Sequence, residues 1–225
     1  MTITLEIQNF KLIGDPQQAA KRAAYMKNQF IFLGVPATER NRQSKTLLQA
    51  SREWQPTDLK AAIVALYQRP AREYQYVTIQ LANQNIKCCT WVDLVWLTKF
   101  VTIKSWWDSV DAWRKVFSDY LKIHPEQKRA VFQLFQQQPN FWMRRIAITL
   151  QLPEKNTVDP TLLTQAIEFD LTTNEFFIQK AIGWALRQYS KTNPDWVKNF
   201  IKSHQLSQLA QREGQKYLKQ SQSQQ

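Results

Sequence analysis

Three stretches of the chain carry residues whose types and spacing suit chemistry on a charged ligand. The densest is Lys104-Ser105-Trp106-Trp107-Asp108-Ser109-Val110-Asp111. On a helix Trp107 and Asp111, four residues apart, share one face. An aromatic plane beside an anion holds a cationic group. Asp108 suits the first turn of a helix, where a carboxylate complements the dipole, and Trp106 suits a core. The second stretch, Asn140 to Ala147, holds Arg144 and Arg145. Helix neighbours point about 100° apart, so at most one of the two faces a given surface squarely. That arginine suits a phosphate, although a solvated basic face would also carry it. The third stretch holds Lys180, Trp184, Arg187 and Lys191 at spacings of 4, 3 and 4, one stripe too polar for a core. Gly183 inside that helix costs about 1 kcal/mol relative to alanine. Close approach of a neighbouring helix or of a ligand must compensate.

The elements that position these residues read as helices. Only four glycines are present, too few for most all-β folds or phosphate-cradling loops. Pro16, Pro56, Pro70, Pro125, Pro139, Pro160 and Pro194 stand at or just before helix starts, where a missing N–H does no harm. Periodicity predicts helices over 16–30, 38–51, 58–68, 71–83, 91–101, 105–121, 125–137, 140–151, 160–171, 174–190, 194–203 and 206–218. A shared pattern of a polar residue followed by small and apolar ones begins at Gln75, Asp111, Arg145 and Lys180, separated by 36, 34 and 35 residues. Such a period predicts an all-α, HEAT-like repeat α-solenoid of about six antiparallel helix pairs. The four residues would then form a row, and a basic concave face could follow a duplex. The expected organisation is one domain over 1–225, with an atypical N-terminal segment at 1–14 and a frayed, low-complexity tail at 219–225.

Composition narrows the partner. Thirty Lys and Arg against eighteen Asp and Glu give +12, a balance that suits a polyanion. Charge alone does not separate DNA from RNA or from an anionic membrane. Nine tryptophans beside that charge match a nucleic-acid binder. Cys88 and Cys89 are adjacent, and His124 and His204 are the two histidines, so no metal or disulfide pattern exists. The first ten residues lack a signal-peptide pattern, and no apolar run reaches membrane-spanning length. The expectation is an intracellular, cytoplasmic and nucleoid-associated monomer that needs no metal and no membrane.

The stretches Tyr25-Met26-Lys27-Asn28-Gln29-Phe30, Arg72-Glu73-Tyr74-Gln75, Lys104 to Asp111, Arg145 and Phe176 to Pro194 resemble the HEAT-like DNA alkylation repair (AlkD-like) family. The resemblance runs from about Tyr25 to Tyr217 and implies an α-helical solenoid that excises cationic N3- and N7-alkylated purines from double-stranded DNA without a cofactor. It implies Asp111 as the catalytic carboxylate, stabilising oxocarbenium character on the deoxyribose or positioning water. It implies Trp107 and Trp184 as the aromatic pair at the lesion, Tyr25 nearby, and Arg145 on a backbone phosphate. Arg144, Lys180, Arg187, Lys191, Lys27 and Lys104 complete the DNA-binding set.

The chain departs from that family at its N-terminus. Met1 to Gly14 is short, alternates Ile3, Leu5 and Ile7 as a strand would, and lacks a long helix. The loop at 35–40 and the less basic stretch at 206–213 also differ. Three readings follow: a glycosylase, a DNA-binding relative with little or no excision that favours branched or distorted DNA, or a helical protein-interaction scaffold.

Overall fold

The computed structural model describes residues 3–218, and its helices begin where proline and short polar side chains place them. Pro16, Pro56, Pro160 and Pro194 each occupy a first helical turn. Asp15, Asn140, Asp159, Glu175, Asn193 and Ser207 accept backbone N–H groups that the first turn leaves unpaired. Thr90 and Asp93 form a capping box. The result is all-helical: among the described residues there is no strand, only an isolated parallel bridge between Ile31 and Ala71. No helix there is long and apolar enough to cross a membrane. The expected frayed tail, 219–225, lies outside the described residues.

The chain forms two compact units, Met1–Cys89 and Thr90–Gln225. The first contains α1 (Ile3–Asn9), α2 (Pro16–Tyr25), α3 (Ala37–Ala50), α4 (Pro56–Gln68) and α5 (Arg72–Gln84). The strand-like alternation near the start is therefore overturned: α1 is a helix, seated on α4 through buried Ile7. Arg69, at the end of α4, donates to the carbonyls of Ile7 and Phe10 and so closes the end of α1. The predicted helix over 16–30 stops at Tyr25, because Lys27 and Asn28 both take φ of 55°, a left-handed conformation a helix cannot include. Glu73 organises the rest of this unit. Its buried carboxylate accepts from the backbone N–H groups of Leu33, Gly34 and Val35 at 3.0, 2.9 and 3.1 Å. Gly34 takes φ +82° in that turn, and a β-carbon there would lie 2.0 Å from the Asp15 carbonyl oxygen.

The second unit contains α6 (Trp91–Leu97), α7 (Trp107–Ile123), α8 (Lys128–Gln133), α9 (Phe141–Thr149), α10 (Pro160–Phe169), α11 (Phe176–Tyr189), α12 (Pro194–Ser203) and α13 (Gln208–Gly214). Here every second helix stacks on the next: α7 on α9, α9 on α11, α11 on α13. The intervening helices pack each against a stacked neighbour, α8 on α7, α10 on α9 and α12 on α11. This is the stacked two-helix repeat that the spacing predicts. Val110, Trp113, Phe117, Ile146, Ile148, Ile178, Ile182 and Leu186 fill its core.

The repeat register differs by one residue at one position. Gln75 is fully buried and donates through Nε2 to the carbonyls of Tyr67 and Arg69, the turn before its own helix. Arg144 does the same to Gln138 and Pro139, and Gln179 to Asp170 and Thr173. Gln75 therefore belongs with Arg144 and Gln179, and Tyr76 is the residue that corresponds to Asp111, Arg145 and Lys180. The polar character of Gln75 suited both registers; only the turn contacts distinguish them.

α11 and α13 cross at close range. A β-carbon on Gly183 would lie 2.4 Å from the Glu213 β-carbon and 3.0 Å from the Ala210 carbonyl oxygen. A neighbouring helix is thus what offsets the mid-helix glycine. The crossing seats Glu213, 8% exposed at its side chain, among Lys180 at 3.2 Å, Arg187 at 3.1 Å and Lys216 at 2.8 Å. Lys216 above all, with Lys180 behind it, outweighs burial and holds Glu213 below its ordinary value of 4.5.

Two outcomes follow for this crossing. Gly183→Ala should destabilise by about 2 kcal/mol, because the helices must part, and should lower the melting temperature by roughly 4–8 °C in a calorimetric scan. Glu213 stabilises the fold when ionised, so its contribution is complete above its unfolded value of 4.5 and is lost as pH falls through the lower folded value. Melting temperatures of wild type and Glu213→Gln should therefore differ at neutral pH and converge below that window.

Candidate active site

Asp111 lies one helical turn beyond Trp107 on α7, and the two share a face. Its carboxylate is gripped from α9. Arg145 donates Nε to Oδ1 at 2.9 Å and Nη2 to Oδ2 at 2.8 Å, a two-pronged ion pair in adjacent layers of the stack. The Arg145 side chain is 6% exposed, whereas Asp111 retains 20%. A third prong, Nη1, donates to the Phe177 carbonyl oxygen at 2.6 Å, at the start of α11. One guanidinium therefore ties together α7, α9 and α11.

Aromatic rings brace the same three helix starts. Trp106, just before α7, meets Phe177 at 5.1 Å and Trp142 at 6.0 Å, and Trp142 meets Phe177 at 5.0 Å. Edge and tilted contacts at these distances are favourable ring geometries. They fix the backbone whose carbonyl receives Arg145. Trp106 is thus a packing residue; it, Trp107 on α7 and Trp184 on α11 are all half-buried.

Two arginines expected on phosphates are engaged within the fold. The Arg145 guanidinium is buried, pairs with Asp111 and donates to the Phe177 carbonyl oxygen. Arg144 donates Nε to both oxygens of Asp170 at 3.1 Å, and the Asp170 side chain is 1% exposed. With Nη1 engaged by the preceding turn, Arg144 braces α9 to the end of α10.

The remaining expected contacts are distributed as follows. Lys180 and Arg187 both reach Glu213, with side chains 41% and 35% exposed. Lys191 is exposed, just past α11. Lys104 is half-buried with φ of 48° before α7. Tyr25, 73% exposed, and Lys27 belong to the first unit, at the end of α2.

Sequence reasoning missed Arg114, Asp170 and Glu213. Arg114, three residues beyond Asp111, carries a buried Nε–H without a partner among the described residues. Burial pushes its guanidinium down from the ordinary value, and Asp111 opposes that most strongly. Its position one turn from Asp111 was the available signal. Glu213 follows Lys180 by 33 residues, close to one repeat, so the same spacing that suggested the row also pointed to its acidic end. Among the described residues no cluster of three or more His, Cys, Asp or Glu could hold a metal ion.

Comparison with known proteins extends this picture. A model of the DNA alkylation repair enzyme family matches residues 7–218. A solved structure from Enterococcus faecalis, a predicted DNA alkylation repair enzyme, is 50% identical, with a TM-score of 0.92 over 93% of this chain and 99% of that one. The crystal structure of smu.31 from Streptococcus mutans UA159, 18% identical, shares the fold at a TM-score of 0.64 over 89% of this chain and 98% of that one. Among curated proteins no sequence matches. The family match spans both units and includes every residue of the Asp111 ion pair, so the chain belongs to the DNA alkylation repair enzyme family.

Proposed function

We propose that this protein is a DNA glycosylase that excises cationic N3- and N7-alkylated purines by hydrolysing the N-glycosidic bond. The observation that carries the reading is Asp111, a carboxylate left 20% exposed while a buried arginine clamps both its oxygens. The chemistry asks for little else. An alkylated purine already carries the positive charge that makes it a leaving group. As its bond to deoxyribose lengthens, positive charge builds on the sugar, and an anion fixed in advance lowers that barrier. Arg145 supplies the fixing: two hydrogen bonds and the ring-braced Phe177 carbonyl hold the carboxylate in one orientation. The outward lone pairs of Asp111 face the sugar or the attacking water. Trp107, on the same helix face, and Trp184 offer ring planes to the cationic nucleotide.

In this reading the DNA backbone meets Lys191, Lys104, Lys27, Lys180 and Arg187. Lys180, Arg187 and Lys216 share one carboxylate, so that cluster stays net positive toward a phosphate. The duplex is the substrate, and the reading takes the protein as a monomer without a cofactor. A second reading, DNA binding with little or no excision, is favoured by the same ion pair, because Arg145 already engages both oxygens that would meet the developing charge.

The two readings separate on DNA carrying 7-methylguanine or 3-methyladenine. Wild type should release the free base, and Asp111→Asn should release it roughly 10²–10³-fold more slowly with affinity for the duplex nearly unchanged. Tight binding without release by wild type would select the second reading. Arg145→Lys keeps the charge but loses the two-pronged grip. It should slow release by tenfold or more. Arg145→Gln, which removes the charge, should leave the salt dependence of DNA affinity as in wild type; a slope smaller by about 1 in that variant would instead mark Arg145 as a phosphate contact.

A further inference from the structure

α7 carries a cation without a counter-ion among the described residues. Arg114 follows Trp107 and Asp111 at spacings of 4 and 3, so the three form one stripe along the helix. The residue is half-buried, yet no hydrogen bond or ion pair among the described residues engages its guanidinium. Of its three nitrogens only Nε is closed off from solvent. The two terminal nitrogens therefore end at the surface, on the face that presents the carboxylate. The acids that favour its charge are already committed. Asp111 is held at both oxygens by Arg145, and Asp119 is held by Lys115 and Lys122. Burial pushes the Arg114 guanidinium down from its ordinary value, Asp111 and Asp119 oppose that, and Arg145 adds to it. An arginine does not lose its proton in a protein, so the cost of this placement persists until an anion arrives.

We propose that the terminal nitrogens of Arg114 bind a phosphate flanking the deoxyribose that Asp111 faces. The deoxyribose of a DNA strand is bonded to a phosphate on either side, so a sugar brought to a carboxylate carries anions with it. The Asp111–Arg145 pair is neutral as a whole and does little to offset that repulsion. Arg114, about 4.5 Å further along the helix axis on the same stripe, supplies the missing positive charge. Its planar fork matches two oxygens of one phosphate. The enclosed Nε holds the root of that fork, so little side-chain freedom remains to be lost on binding. The choice of this phosphate rests on the function proposed above, whereas the uncompensated cation rests on these residues alone.

The test uses the full chain and short duplexes that carry a tetrahydrofuran analogue of the abasic sugar. One flanking phosphate, on either side in turn, is replaced by an uncharged methylphosphonate. Wild type should bind one of the two neutralised duplexes roughly tenfold more weakly than the fully charged one. Arg114→Gln should bind the charged duplex about as weakly, show no further loss on that neutralisation, and lower the slope of log affinity against log salt by about 1. Arg114→Lys should recover the slope and part of the affinity. The melting temperature of Arg114→Gln should not fall, since no internal partner is lost. Equal losses on neutralisation in wild type and Arg114→Gln, or no loss in wild type, would overturn the contact. None of these measurements needs excision. A wild type that shows the Arg114-dependent loss but releases no 7-methylguanine keeps the contact and removes the glycosylase reading; release without that loss removes the contact alone.

Discussion

A guanidinium driven nearly out of water must be met by an anion and by carbonyl oxygens, and at the candidate site this constraint falls on Arg145. With 6% of its side chain exposed, it requires Asp111 and the Phe177 carbonyl for its place in α9 to be tolerable. Satisfying it draws three successive stacked helices together at their N-terminal halves. The bracing of the stack and the orientation of the candidate catalytic carboxylate are therefore one interaction. Asp111 is the more open partner, so the side of the pair that meets solvent is the anionic one.

The same device recurs between layers. Arg144 reaches Asp170, and Lys180 and Arg187 reach Glu213, with the acidic partner the more buried in each case. Part of the positive charge that the composition announces is consequently engaged inside the repeat array. The +12 balance still points to a polyanion. It does not say which cations are free to meet one, and two of the arginines most attractive in the sequence turn out to be braces.

How far the sequence leads can be judged from particular residues. The helix starts were legible because proline and short polar caps act within four residues of where they stand. The stack of α7, α9 and α11 was legible because a near-constant spacing repeats the same burial demand. Gly183 was legible as a close approach because a glycine in mid-helix needs a cause, and Ala210 and Glu213 supply it. The start of the chain was misread: alternation over Ile3, Leu5 and Ile7 fits a strand, but seven residues are too few for periodicity to decide, and the contact with α4 decides instead. The role of Arg145 was hidden for a different reason. The repeat spacing placed it one layer from Asp111, but its burial between that carboxylate and the Phe177 carbonyl shows only once the helices are packed. The unpaired donor of Arg114 was hidden likewise, since what is missing around a side chain shows only once its neighbours are in place.

Gln75, Arg144 and Gln179 each fasten the turn that precedes their own helix, and each is followed by a residue of wholly different chemistry: Tyr76, Arg145 and Lys180. Two kinds of fastening are thereby assigned to consecutive positions. The first residue closes the turn of its own helix pair, and at Arg145 and Lys180 the second reaches into a neighbouring layer. A change at the first position therefore loosens one pair, whereas a change at the second alters how that pair seats against its neighbour.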